Sequence, residues 1–272
     1  MHCGTTVGVH GILHRHPWLA DADAEELRET VLDLALARAD AYGWYAPYGW
    51  RTAKGRKARH EPERWLACDQ GGDWAGGGEI RELAWMRADI PEDVRHPRLP
   101  VLPMARTLLD GLDRVGAVAL TALCAHLPLQ ITAGDASGEL DEMREWFALG
   151  PPAASLPVSS AASAEVHLTV SAASSSAWGA RHETARVHRA VQERLGGAAE
   201  VRIPRTIDAA HLRCRGTSGE LPAGTRPVAQ FAVRVREWSA DVALWLIEAT
   251  GDALRATGHS VPVMVTVSRP SS

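Results

Sequence analysis

Three histidines stand within seven residues, His10, His14 and His16 in the stretch VGVHGILHRHPW. His14-Arg15-His16 is an H-x-H pair, and on a strand residues two apart point the same way, so both imidazoles could reach one metal ion. A third ligand would have to come from further along, where His60, Glu61, Glu63, Cys68 and Asp69 are the candidates. The chain has no H-E-x-x-H and no paired cysteines, so the expectation is no metal site, with His14 and His16 the residues to watch. His10 suits a different task, that of a general acid or base. Glu82, in RELAWMRADI, is a second acid/base candidate. Strict alternation puts it on one face with Ile80, Ala84 and Met86, where a partly desolvated carboxylate suits proton transfer.

A further histidine, His167, lies in EVHLTV and occupies the place in a second half of the chain that His10 occupies in the first. His167-Leu168-Thr169-Val170 resembles one of the two H-x-T motifs of the two-histidine phosphoesterases, a family built from two related α+β lobes. That resemblance implies two histidines on equivalent strands acting on one bound molecule. The chain departs from it at the first motif, where Gly11 and Ile12 follow His10 and no hydroxyl is present.

Residues 43–78 hold the candidate binding groups. Trp44, Tyr45, Tyr48, Trp50, Trp65 and Trp74 are interleaved there with Arg51, Lys54, Arg56, Lys57, Arg59 and Arg64. Aromatic plates beside cations stack a planar ligand while an arginine grips its carboxylate or phosphate. Trp50, Trp65, Trp74, Arg51 and Arg64 are therefore the expected substrate-binding residues. The same text could hold single-stranded nucleic acid, with the bases on the aromatics.

The elements that must position these residues follow from periodicity. Residues 5–14 alternate as a strand, and 23–42 form a helix on Leu27, Val31, Leu34 and Ala35, with Asp23 and Glu26 placed as a capping box. After the irregular text of 43–78 come a strand at 79–90, a helix on Met104, Leu108, Leu112 and Val115 stopped by Gly116, and a strand at 117–129. A short helix at 139–149 and a Pro/Ser-rich linker lead to a second series. There 165–173 is a strand, 177–197 a helix on Val187, Val191 and Leu195, and 199–208 a strand. A strand at 226–238, a helix capped by Ser239 and ended by Gly258, and a strand at 260–270 close the chain.

Both series read β-α-β-β-α-β, and VGVHGIL resembles AEVHLTV. The expected fold is α+β: two ferredoxin-like halves related by a pseudo-twofold, with 43–78 a Trp/Arg/Gly-rich insertion in the first. The expected boundaries are 1–131, a linker over 132–164, and 165–272. A single mixed α+β sheet is the alternative.

Composition narrows the rest. With 272 residues, 46% of them hydrophobic, and a net charge of −4, the chain can bury a core and advertises neither nucleic acid nor an acidic membrane. Its basic residues are arginines apart from Lys54 and Lys57, the mark of a GC-rich genome, and a bacterial origin is expected. Four scattered cysteines, no leader-like start and no long apolar run lead to a cytoplasmic, membrane-free expectation. The chain lacks a phosphate-binding loop, a dinucleotide fingerprint and a nucleophile elbow. The reading is a cofactor-independent acid/base enzyme of specialised metabolism, acting on a small, planar, amino-acid-derived substrate in a condensation or cyclisation of Pictet–Spengler type. Glu82, His10 and His167 would be its catalytic groups. The rival is a non-catalytic binding or accessory protein whose groove and basic, aromatic loop grip a protein or RNA. Nucleic acid is the less expected partner, and a homodimer is left open.

Overall fold

A computed structural model describes residues 2–42, 45–47, 65–72, 79–91, 99–131, 163–173, 181–204 and 225–270. It shows a mixed α+β protein whose described part holds four helices packed on antiparallel strands. The expected helix at 139–149 and most of the linker lie outside the described residues. The chain divides into two compact units within one strand, between Thr121 and Ala122.

The first unit runs β1 (His2–Arg15), α1 (Ala24–Ala41), β2 (Tyr45–Pro47), β3 (Trp65–Gly71), β4 (Arg81–Pro91), α2 (Val101–Leu112) and the opening of β5 (Gly116–Leu127). Its strand order is β2-β3-β4-β1-β5. β1 pairs with β4 and β3 with β4 antiparallel, while β2 pairs with β3 parallel. Two strands therefore form within 43–78, which reads as irregular in sequence. Trp65–Gly71 lacks clean alternation, and its pairing with β4 carries a register shift at Ala67/Asp69, so cross-strand hydrogen bonds define it rather than hydrophobic period.

Helix α1 begins where Asp23 accepts hydrogen bonds from the backbone N–H groups of Glu25 (2.9 Å) and Glu26 (3.1 Å), satisfying two of the donors a helix start leaves open. It buries Val31, Leu32, Ala35 and Ala39, while Leu27 and Leu34 are only half-buried. The helix packs on α2, and the contact is close because Gly111 has no side chain: a Cβ there would lie 2.9 Å from the carbonyl oxygen of Val31. An Arg38–Asp110 ion pair joins the same two helices. Helix α2 buries Met104, Leu108 and Leu112 and packs against β1 and β4. Gly116 does not stop it, as its sequence position suggests. The helix ends at Leu112, and Gly116 starts β5, where a Cβ would strike the carbonyl oxygen of His14 at 2.3 Å.

The second unit takes up β5 from Ala122 and adds β6 (Ala164–Ala172), α3 (Arg181–Leu195), β7 (Glu200–Arg202), β8 (Arg226–Val235), α4 (Ala240–Ala256) and β9 (Val263–Ser268). Its order is β5-β9-β6-β8-β7, with every neighbouring pair antiparallel. The second expected strand of this half, 199–208, is shorter, Glu200–Arg202. Val166, Leu168 and Val170 of β6 are buried beside Val265 and Val267 of β9 and Phe231 and Val233 of β8. Helices α3 and α4 pack on each other, with Asp252 of α4 held by Arg194 (2.8 Å) and Arg255 (3.0 Å). Ser239 caps α4 through the N–H of Val242 at 3.3 Å. Gly196 (φ 56°) and Gly258 (φ 83°) follow the two helix ends in the left-handed region, as their sequence positions predict. Among the described residues, no helix is long and apolar enough to cross a membrane.

Candidate functional site

In the first unit, β1 and β4 lie side by side, and their pairing decides which side chains meet. Thr5 pairs with Ala88, Val7 with Met86 and Val9 with Ala84. This row is buried throughout. Consecutive residues on a strand point to opposite faces, so Thr6, Gly8 and His10 belong to the other face, against Arg87, Trp85 and Glu82.

The last of these pairs exists because the register shifts between Val9 and His10. Val9 pairs with Ala84 and His10 with Glu82, so one step on β1 is matched by two on β4, and Leu83 is the extra residue. Leu83 and Ala84 are both buried, 2% and 1% exposed, and the alternation of β4 is interrupted there. The expected face of Glu82 is accordingly corrected. It does not share the apolar row of Ala84 and Met86; the bulge turns it to the polar face, beside His10.

His10 Nε2 stands 3.6 Å from Glu82 Oε1, with the two side chains 7% and 8% exposed. This is ion-pair contact just beyond hydrogen-bond range. Shielding from water strengthens the electrostatic interaction between two groups so placed. An imidazole and a carboxylate within reach of one bound atom can take a proton from it and return one.

Further along the same face, Arg87 grips Asp89 through two hydrogen bonds of 2.7 and 3.1 Å. The pair lies over Gly4, where a Cβ would come within 2.2 Å of Asp89 Oδ1. The indole of Trp85 lies over Gly71 of β3 in the same way, its Nε1 2.7 Å from where a Cβ would stand. Sequence reasoning passed over Trp85, Arg87 and Asp89. Their signal was the glycine alternation of β1, Gly4 and Gly8 flanking Thr6, which marks a face where neighbouring side chains need room.

The other expected site residues fall elsewhere. His167 is half-buried on β6 in the second unit, paired with Ala232 and Ser268. Thr169 shares its face, with Thr266 and Gln230 alongside, and both threonines are buried. His14 is exposed near the end of β1. His16 lies past that end, its Nε2 3.1 Å from the Asp113 carbonyl oxygen and its ring stacked on Trp18 at 4.3 Å and 11°. Trp65 opens β3. Trp50, Trp74, Arg51 and Arg64 lie outside the described residues.

A second buried histidine–carboxylate pair, absent from the sequence reading, occurs in the second unit. His259 Nε2 lies 2.7 Å from Glu183 Oε1, and Arg186 reaches the same oxygen at 2.6 Å. It ties the first turn of α3 to the turn between α4 and β9. Burial pushes the His259 imidazole below its ordinary range, outweighing the attraction of Glu183. For Glu183 burial acts upward, but Arg186 and His259 together hold the carboxyl below its ordinary range. This pair joins helix to turn and reads as a structural clamp.

Fold and site thus define a mixed α+β protein with a buried His–Glu pair on one polar sheet face. No family model matches the chain, and neither a curated protein nor a solved structure matches it.

Proposed function

We propose that the chain is a cofactor-independent acid/base enzyme acting on a small, planar, amino-acid-derived substrate, with His10 and Glu82 as its proton-transfer pair. The observation that carries this reading is the 3.6 Å contact between two titratable side chains, both more than nine-tenths buried, on the polar face of β1 and β4. Maintaining such a pair away from water is costly, and an apolar pair of similar volume would suit the sheet as well or better. A site for proton transfer gives a reason for its presence.

A Pictet–Spengler-type closure illustrates the chemistry. An arylethylamine and an aldehyde lose one water to form an iminium ion, the ring carbon attacks it to form a C–C bond, and the ring proton leaves to a base. Protonation of the departing hydroxyl and removal of the ring proton are the two transfers an imidazole–carboxylate pair performs, with no net oxidation.

The architecture proposed with this reading is two ferredoxin-like halves, each β-α-β-β-α-β, the first carrying extra chain in 43–78. Its support is the strand order. Numbering the four strands of each half in chain order, the second half reads 4-1-3-2 as β9-β6-β8-β7, and the first gives the same sequence as β5-β1-β4-β3 with β2 added at the edge.

The test is incubation of the purified protein with tryptamine and a panel of aldehydes, followed by mass spectrometry for the mass of the adduct less water. Product formed by the wild type and lost in both His10→Ala and Glu82→Gln supports the reading. Absence of product across the panel, or product undiminished in both folded variants, overturns it.

A further inference from the structure

In the second unit only residues 196–199 separate helix α3 from strand β7. Gly196, at φ 56°, turns the chain there, and β7 comes back against the helix that precedes it. His188 and Gln192 stand one helical turn apart on α3, beside the buried stripe of Val187, Val191 and Leu195. Both are half-buried, and both reach the backbone of β7.

Among the described residues β7 is the last strand of the sheet, with β8 on one side and no strand on the other. Glu200 lies opposite Arg234, Val201 opposite Val233 and Arg202 opposite Ala232. Along an antiparallel strand, successive residues turn their N–H and C=O alternately toward the partner and away from it. The N–H of Val201 donates to Gln192 Oε1 at 2.8 Å, so Val201 is a residue that turns away from β8. Its carbonyl oxygen meets His188 Nε2 at 3.0 Å, and since a carbonyl only accepts, that nitrogen carries the ring proton. Gln192 Nε2 donates to the carbonyl oxygens of Ala199 (3.0 Å) and Gly196 (2.9 Å). One side-chain amide thus holds the N–H of Val201 and the C=O of Ala199, two residues earlier. Those are the two bonds that a single residue of a parallel neighbouring strand would make.

We infer that the Gln192 amide and the His188 imidazole are a built-in substitute for a neighbouring strand, closing the β7 edge against pairing with a second copy of this chain. Open N–H and C=O groups along a sheet edge are a template for another chain. The rest of the edge agrees with a guarded one. Strand β7 has three residues, exposed charged side chains at Glu200 and Arg202 flank Val201, and Pro204, which has no N–H, follows. Glu200 is held in turn by Arg202 (2.6 Å) and by Arg234 of β8 (2.9 Å). The residue type at 192 fits the task, since an amide carries a donor and an acceptor side by side while a carboxylate only accepts. This inference is independent of the acid/base reading and concerns the other unit of the chain.

The experiment compares the wild type with His188→Phe/Gln192→Met, which preserves side-chain size and the ring 5.7 Å from Phe231 but removes the bonds to β7. Sedimentation velocity over a range of concentrations reads self-association, and hydrogen exchange reads the Val201 amide. In the wild type that amide is protected at every concentration. In the dilute double variant it exchanges about tenfold faster or more, because its partner has gone. The variant self-associates at about tenfold lower concentration than the wild type, as hydrogen bonds across the edge are regained between copies. Protection of Val201 returns as it does so. A wild-type Val201 amide that exchanges as fast as an exposed one overturns the inference, as does a folded variant that associates no more readily than the wild type. Association that leaves the Val201 amide open also overturns it, since the copies then meet through another surface. Gln192→Met alone, which keeps His188, is measured in parallel and is read by the same three results if the double variant does not fold.

Discussion

His10 and Glu82 face each other across β1 and β4 because a single extra residue, Leu83, changes the register of one strand against the other. The contact is an electrostatic commitment as well as a geometric one. Removing either group takes from the other a buried contact that water does not replace. Glu82→Leu by itself should therefore lower unfolding stability by about 2–3 kcal/mol. The double variant His10→Leu/Glu82→Leu should recover most of that loss, as apolar replacements of buried pairs do. Urea denaturation of the three proteins measures the coupling, and additive losses would show that the pair does not interact.

Leu83 itself gives a second prediction. It is buried to 2% exposure at the bulge, beside Ala84, so truncation to alanine removes apolar contacts and leaves a cavity. Leu83→Ala should cost about 2–4 kcal/mol. The register is specified by hydrogen bonding along β1 and β4, so the fold should survive, and far-ultraviolet circular dichroism should be unchanged below the new midpoint.

The crossing of α1 and α2 depends on Gly111. A Cβ at that position would lie 2.9 Å from the Val31 carbonyl oxygen and 3.1 Å from its Cγ1, and both groups belong to a packed helix. The higher helix propensity of alanine, worth about 1 kcal/mol, would normally favour Gly→Ala in a helix. Here the steric contact opposes it, and Gly111→Val, with two more methyl groups, should lower the melting temperature by several degrees. A rise in melting temperature for Gly111→Val would mean that the helices are free to part.

Acid should destabilise the protein in two steps traceable to His259 and Glu183. The folded state holds the His259 imidazole below the 6.5 of an ordinary imidazole, so the unfolded chain binds this proton more readily. Stability from this group is full above about pH 6.5 and falls as the pH drops below it. The Glu183 carboxyl is held below 4.5, so its contribution is present above that value and is lost on further acidification. Both shifts act in the same direction. His259→Gln should flatten the upper window and weaken the lower one, which Arg186 then largely sustains, as read from urea midpoints between pH 8 and 4. An unchanged slope between pH 7 and 5.5 in the variant would assign that window to other groups.

The helix starts offer a milder check. Asp23→Ala removes the acceptor for the N–H groups of Glu25 and Glu26, and Ser239→Ala removes that for Val242. Each should cost about 1 kcal/mol in equilibrium denaturation. The two caps lie in different units and should act additively.

The sequence by itself determined the local elements. The spacing of Val187, Val191 and Leu195 marks α3, Ser239 and Gly258 bracket α4, and the alternation of Val166, Leu168 and Val170 marks β6 with His167 and Thr169 on its other face. These follow from chain geometry, since periods of 3.6 and 2 and the open hydrogen-bonding groups at helix ends are properties of neighbouring residues. The tertiary structure decided the rest. Of the two strands within 43–78, β3 is defined by pairing with β4 and β2 by pairing with β3, Gly116 is required by the carbonyl oxygen of His14, and Glu82 meets His10 through a register shift that alternation within β4 alone could not reveal. One extra residue on one strand reverses every face assignment beyond it, and only pairing with a second strand shows where that residue is.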